Sequence, residues 1–349
     1  MTDQVRFRVE GRAGFVTLCR PEATHALNLA MCEAMLDRLA GWEADAAIDA
    51  VVVEHCGGQG FCAGGDLRAL VVEGHADGRD ARAFFRAEYR LGHLMFTYAK
   101  PVVAFMDGVT MGAGAGIAMA ARFRVATANT RFAMPETAIG LFCDVGAGHY
   151  LSRLPGAIGP FLALTGAGLD AGECLTLGLA THYLPVEALP AAKAAIAARP
   201  DGIGAILDAA ATPAPAARII ENRERIDRLF GHPRYEDILA ALAADGSDWA
   251  AQVLATLRPK APSSCKVVMR LLAEAAGIDD FAREMALEYA LASRIVVAPD
   301  FREGVNALLI ARHNRPRWRP PTPESMTDSM LDALFAPLPD GQAWTPYRA

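Results

Sequence analysis

Between Phe15 and Ala126 the chain passes three times from a short run of β-branched and aromatic residues into a stretch with apolar side chains at helical spacing. This alternation restricts the fold more than any other feature. Phe15-Val16-Thr17-Leu18 precedes Met31, Met35, Leu36, Leu39 and Trp42; Val51-Val52-Val53 precedes a helix predicted over 84–98; and a strand at 101–106 precedes a small-residue helix at 112–121, with a last strand over 123–126. Strands joined in this way run parallel, because only a crossover long enough to hold a helix lets the chain re-enter a sheet in the same direction. An α/β core is expected. Ahead of it, Val5, Phe7 and Val9 alternate with polar residues up to Glu10-Gly11-Arg12, the pattern of a hairpin. Asn28 is a suitable N-cap for the first helix.

From about residue 185 the pattern changes to Ala-rich helical stretches broken by Pro213 and Pro215, and 279–296 carries Phe281, Met285, Tyr289 and Ala292 on one helical face. The expected division is an α/β core over 1–185 and a helical region over 186–349. With 52% hydrophobic and 21% charged residues the chain can bury a large core. A net charge of -6, with the only dense basic stretch at Arg315-Pro316-Arg317-Trp318-Arg319, argues against nucleic acid as a main partner. No segment reaches ~18 uncharged apolar residues, so no membrane span is expected, and a cytoplasmic protein is. The seven cysteines are scattered without Cys-x-x-Cys spacing, which predicts neither a disulfide framework nor a zinc site. No metal is expected.

Two glycine-rich segments carry the chemistry. Gly60-Phe61-Cys62-Ala63-Gly64-Gly65-Asp66-Leu67 follows a strand and looks too rich in glycine for regular structure, and in Asp107-Gly108-Val109-Thr110-Met111-Gly112-Ala113-Gly114-Ala115-Gly116 a strand gives way to a helix whose first turn is all small residues. Exposed amides at such turns can receive an oxyanion, one donor from each loop, as acyl chemistry requires. Each loop alone could equally be a tight turn. Gly-x-Gly-x-Gly at 112–116 lacks the spacing of a dinucleotide fingerprint, and Cys62 has no His placed to activate it, so it reads as a packed thiol.

These two segments, with Met134-Pro135-Glu136-Thr137-Ala138-Ile139-Gly140 beyond them, resemble the motifs of the enoyl-CoA hydratase/isomerase (crotonase) superfamily in order and spacing. The continuation Leu141-Phe142-Cys143-Asp144-Val145-Gly146, together with Phe84-Phe85-Arg86-Ala87-Glu88-Tyr89, Ala180-Thr181-His182-Tyr183, Asp300-Phe301-Arg302-Glu303-Gly304-Val305 and the Pro316-Arg317-Trp318 tail, is similar to the 3-hydroxyisobutyryl-CoA hydrolase subgroup, over nearly the whole chain. The resemblance implies a ClpP/crotonase-like spiral of ββα units with a C-terminal helical region completing the pocket. It also implies metal-independent hydrolysis of a short β-hydroxyacyl-CoA in valine breakdown, no cofactor beyond the CoA of the substrate, and a homo-oligomer that the extra helices could block or redirect.

By the same resemblance the amides of Gly65 and Ala113 would form the oxyanion hole, with Glu136 the central carboxylate, Asp144 a second acid and Glu88 a contact near the acyl group. His25, Ala26 and Leu27, with Asp66, Leu67 and Arg68, would line the CoA side. Ala113 stands where the family commonly has glycine, and Gly116 stands where hydratases carry a first catalytic Glu. Without that second Glu, adding water across a double bond is disfavoured, while a thioester can still be hydrolysed. Plainer roles compete: Glu136 as a solvated loop charge, Asp144 as an acceptor for turn amides, Glu88 in a surface ion pair with Arg86 or Arg90.

Overall fold

A computed structural model describes residues 3–348. The hairpin is present: β1 (Val5–Glu10) pairs antiparallel with β2 (Ala13–Leu18). Helix α1 (Leu29–Ala44) follows, and the Asn28 side chain accepts the Met31 N–H at 3.0 Å. The chain then runs through β3 (Ala50–His55), β4 (Gly60–Cys62), α2 (Leu67–Val72), α3 (Arg79–Phe96), β5 (Val102–Met106), β6 (Val109–Met111), α4 (Ala113–Ala120), β7 (Phe123–Ala126), β8 (Arg131–Ala133) and, further on, β9 (His182–Tyr183). Odd-numbered strands beyond the hairpin enter a six-stranded sheet in the order β1-β2-β3-β5-β7-β9, and β4, β6 and β8 form a separate three-stranded sheet. Each turn of the chain therefore lays one strand in each sheet before its helix, a spiral of ββα units.

The central strands of the larger sheet are buried on both faces, which is why Val51-Val52-Val53 of β3 and all of β5 read as unbroken apolar runs. Alternate residues divide between two cores, as a period of two requires. Val16, Val51, Val53, Ala104 and Met106 face the main cluster with α1 and α3; Phe15, Val52, Val103, Phe105 and Val125 face a second one. Helices Leu189–Ala198 and Ile203–Ala210 cover that second face through Leu189, Ile196, Ile203 and Leu207. The boundary expected at 185 thus marks the end of the strands, since no further strand follows among the described residues, but not the end of the packed unit.

The three strands of the smaller sheet escaped the sequence reading. Each is three residues long, too short to show a period, and Gly60–Cys62 is regular structure despite its glycine. They decide where the motifs meet. The strands are parallel neighbours in the order β4-β6-β8, so Gly64-Gly65, Gly112-Ala113 and Pro135-Glu136 all leave the same carboxyl edge. Crevices beyond the carboxyl ends of parallel strands are where α/β proteins bind ligands.

Candidate active site

At that edge lies a cavity of about 270 Å³ whose wall includes Gly65, Ala113, Glu136, Asp144 and Glu88 together with apolar Phe84, Leu141 and Leu308. A β-carbon placed on Gly64 would lie 3.5 Å from the Ala113 nitrogen, and one on Gly65 would lie 3.5 Å from Glu88 Oε1. The two glycine turns are therefore in contact. Ala113 opens α4, whose N-terminus has no side-chain cap, and no protein acceptor takes the Gly65 or Ala113 N–H among the described residues. Gly112 has φ +52°, and a β-carbon there would lie 2.9 Å from Glu136 Oε1. Only glycine suits both the conformation and the space.

Glu136, Asp144 and Glu88 are all buried, and no Lys or Arg forms an ion pair with any of them among the described residues. Burial disfavours their charged forms, and neighbouring acids raise the proton affinity of Glu136 and Glu88 further. Glu136 is pushed up to about 8 by burial first and Asp144 second. Asp144 is pushed up to about 7 by burial, against a hydrogen bond from Tyr89 that pulls it down; the Tyr89 hydroxyl donates to Asp144 Oδ2 at 2.6 Å. Glu88 is raised well above its ordinary value by burial, then by Asp144 and Glu136. Glu136 Oε2 and Glu88 Oε1 are buried without a hydrogen-bond partner. Buried polar atoms are normally satisfied, so two unpartnered oxygens on one cavity wall mark a place for a polar ligand group.

The plainer roles fare differently. Glu136 is not solvated, and the Asp144 carboxylate accepts from the Tyr89 hydroxyl, with the main-chain N–H at Asp144 itself a lesser donor to it. Arg86 and Arg90 reach the carbonyls of Gln342, Ala343 and Thr345, which leaves Glu88 facing inward. Of the residues expected on the CoA side, Leu67 lines this cavity and the others do not. His25 is fully buried, accepting from the Arg20 N–H at Nδ1 (2.9 Å) with Nε2 2.7 Å from the Gly57 carbonyl, so its ring is a strut. Ala26 accepts from Arg20, Leu27 is core, Asp66 caps α2 and pairs with Arg20 at 2.8 Å, and Arg68 is exposed. Cys62 is a packed thiol, its sulfur 3.3 Å from the His25 carbonyl.

Tyr89 and Glu288 were not singled out from sequence. Tyr89 stood inside a quoted motif. Glu288 lies on the helix Phe281–Ile295, three residues past Met285 on its buried stripe, and a charge on an apolar stripe is the signal that could have found it. Its carboxylate accepts the N–H groups of Gly146 (2.7 Å) and Gly148 (3.1 Å), fastening the turn after Asp144. That turn is strained: Val145 has φ +59°, which a β-branched residue rarely adopts. Val145 also fills the space beside α4, because a β-carbon on Gly116 would lie 2.5 Å from its Cβ and Cγ1. No carboxylate fits at 116. Among the described residues no group of three or more His, Cys, Asp or Glu could hold a metal ion.

This fold and this arrangement of loops define a class. The chain belongs to the enoyl-CoA hydratase/isomerase family, whose sequence profile matches residues 13–335. It is 40% identical to the mitochondrial 3-hydroxyisobutyryl-CoA hydrolase of Xenopus tropicalis over 94% of this chain and 87% of that protein, and 35% identical to the human mitochondrial one over 96% and 89%. A crystal structure of a carnitinyl-CoA dehydratase from Mycobacterium thermoresistibile superposes with a TM-score of 0.92 at 36% identity, covering 97% of this chain and 98% of that one. An enoyl-CoA hydratase from Rhodobacter sphaeroides 2.4.1 gives 0.89 at 35%, over 98% and 100%.

Proposed function

We propose that the protein hydrolyses a short β-hydroxyacyl-CoA thioester, 3-hydroxyisobutyryl-CoA, to 3-hydroxyisobutyrate and CoA. The observation that carries this reading is one cavity in which two unbonded main-chain amides face two buried carboxyls, with the space for a second hydratase-type Glu filled by Val145. The thioester oxygen sits between the Gly65 and Ala113 N–H groups, each contributing about 3 kcal/mol to the tetrahedral transition state. Glu136 supplies the electron pair, by attacking the carbonyl to give a mixed anhydride or by removing a proton from water. Asp144, oriented by Tyr89, positions the water and passes a proton to the departing thiolate. The C–S bond breaks and a C–O bond forms.

Glu88 accounts for a preference for hydroxyacyl groups. Its unpartnered oxygen can bond a substrate hydroxyl, and an acyl group lacking one leaves it buried and unsatisfied. The test is thiol release from 3-hydroxyisobutyryl-CoA by the purified protein, with Glu136→Gln as control; no release above buffer from folded protein rejects the reading. A second reading, hydration or isomerisation with Glu136 as sole base, is favoured by the names of the two solved relatives. Turnover of crotonyl-CoA without thiol release would establish it instead.

A further inference from the structure

On the opposite edge of the six-stranded sheet, where the residues just ahead of β5, β7 and β9 come together, a second cavity of about 500 Å³ opens. Four cations, Lys100, Arg122, Arg124 and Arg153, stand in its wall, and no Asp or Glu does. In a chain with net charge -6 this concentration of one sign is against the average. Three of the cations are pinned by main-chain carbonyls rather than by carboxylates. Lys100 donates to Trp42 and Asp45 (2.5 and 2.7 Å), Arg124 to Ala121, Leu179 and Gly178 (2.8, 3.0 and 3.1 Å), and Arg153 to Ile278 and His149 (2.7 and 2.9 Å). Arg122 rests against the Phe123 ring. Among the described residues the only ion pair these four make is Arg153 with the exposed Asp279 at 3.6 Å.

Two further groups on the same wall are incomplete. The Tyr150 hydroxyl and His149 Nδ1 are buried and have no hydrogen-bond partner. Carbonyls fix the positions of the cations without cancelling their charge, so the cavity keeps a positive potential, and the hydroxyl is a donor with nothing to donate to. Met95, Met119, Leu154 and Leu179 supply apolar wall between the charges. We infer that this rear cleft is a binding site for a small organic carboxylate, its negative end among Arg122, Arg124, Arg153 and the Tyr150 hydroxyl and its short hydrocarbon body against the methionines and leucines. The apolar walls favour a carboxylate with a body over a bare oxyanion. The site lies behind the catalytic cavity: Tyr150, Met119 and Leu179 also bound a one-water void whose other wall includes Asp144 and Gly116. The assignment stands independently of the hydrolysis reading.

Methionine methyl groups report the site directly, because Met95 and Met119 line the rear cleft and Met111 lines the catalytic cavity. Full-length protein labelled with ¹³C at the methionine methyls is titrated with isobutyrate, with uncharged isobutyramide, and with inorganic phosphate. Isobutyrate is expected to give saturable shifts at Met95 and Met119 with Met111 unmoved, and isobutyramide none. Arg122→Glu, at an exposed side chain with no ion pair, is expected to weaken isobutyrate binding by at least about fivefold, and Tyr150→Phe by about threefold. Shifts confined to Met111, no saturation, an equal response to the amide, or an affinity unchanged by Arg122→Glu would each overturn the inference. Phosphate shifting the same methyls at lower concentration than isobutyrate would overturn the organic carboxylate as ligand.

Discussion

Replacing Glu136 by glutamine is expected to remove activity while making the protein more stable, increasingly so at high pH. The carboxyl is buried with no cation paired to it, and its pKa stands at about 8 against an ordinary 4.5. With the folded value above the unfolded one, the native state holds this proton more tightly than the unfolded chain does. Stability from the group is therefore complete below about pH 4.5 and is lost as pH rises through about 8. The full difference corresponds to about 5 kcal/mol, of which about 3 kcal/mol is already lost at pH 7. Glutamine keeps the shape and never ionises, so Glu136→Gln and wild type should unfold at similar denaturant concentrations at pH 5 and diverge by pH 9. Denaturant unfolding at pH 5, 7 and 9, beside thiol release from the thioester, measures both effects. A stability difference that stays flat across that range would refute the burial argument, and a variant retaining a tenth or more of wild-type kcat would refute the role in chemistry.

Three other perturbations test the rest of the site. Because Glu136 must be ionised and Asp144 protonated, wild-type activity should climb about tenfold per pH unit below about pH 7, level off between about 7 and 8 and fall above that; Tyr89→Phe removes the 2.6 Å bond that lowers the Asp144 pKa, so Asp144 should titrate about one unit higher, read by a shifted limb of the pH–rate profile. Glu288→Ala leaves the Gly146 and Gly148 amides unpaired and should cost about 2–4 kcal/mol by denaturant unfolding and lower kcat more than it changes KM, with Glu288→Gln recovering part of both. Gly116→Glu drives a side chain into Val145 and should lower Tm by several degrees without creating crotonyl-CoA hydration; a stable, hydrating variant would show that the residue type and not the space decides the reaction.

The alternation of strand and helix, the N-cap at Asn28, the turn to helices after 185 and the three motifs were all legible in the sequence, because each depends on local spacing of side chains along one element. So was the absence of a carboxylate at 116, although its reason was not: Val145, far along the chain, fills the gap. Tertiary structure alone decided which way the acids point. Glu88 and Glu136 could have been surface charges on sequence grounds, and only packing against α3, the β8 turn and the strained loop at Val145 turns them inward and raises their proton affinity. Glu288 was invisible as a partner of Gly146 because hydrogen bonds between residues 142 apart leave no periodic trace. Pattern determines elements; distance in space, which sets burial and charge coupling, determines what their residues can do.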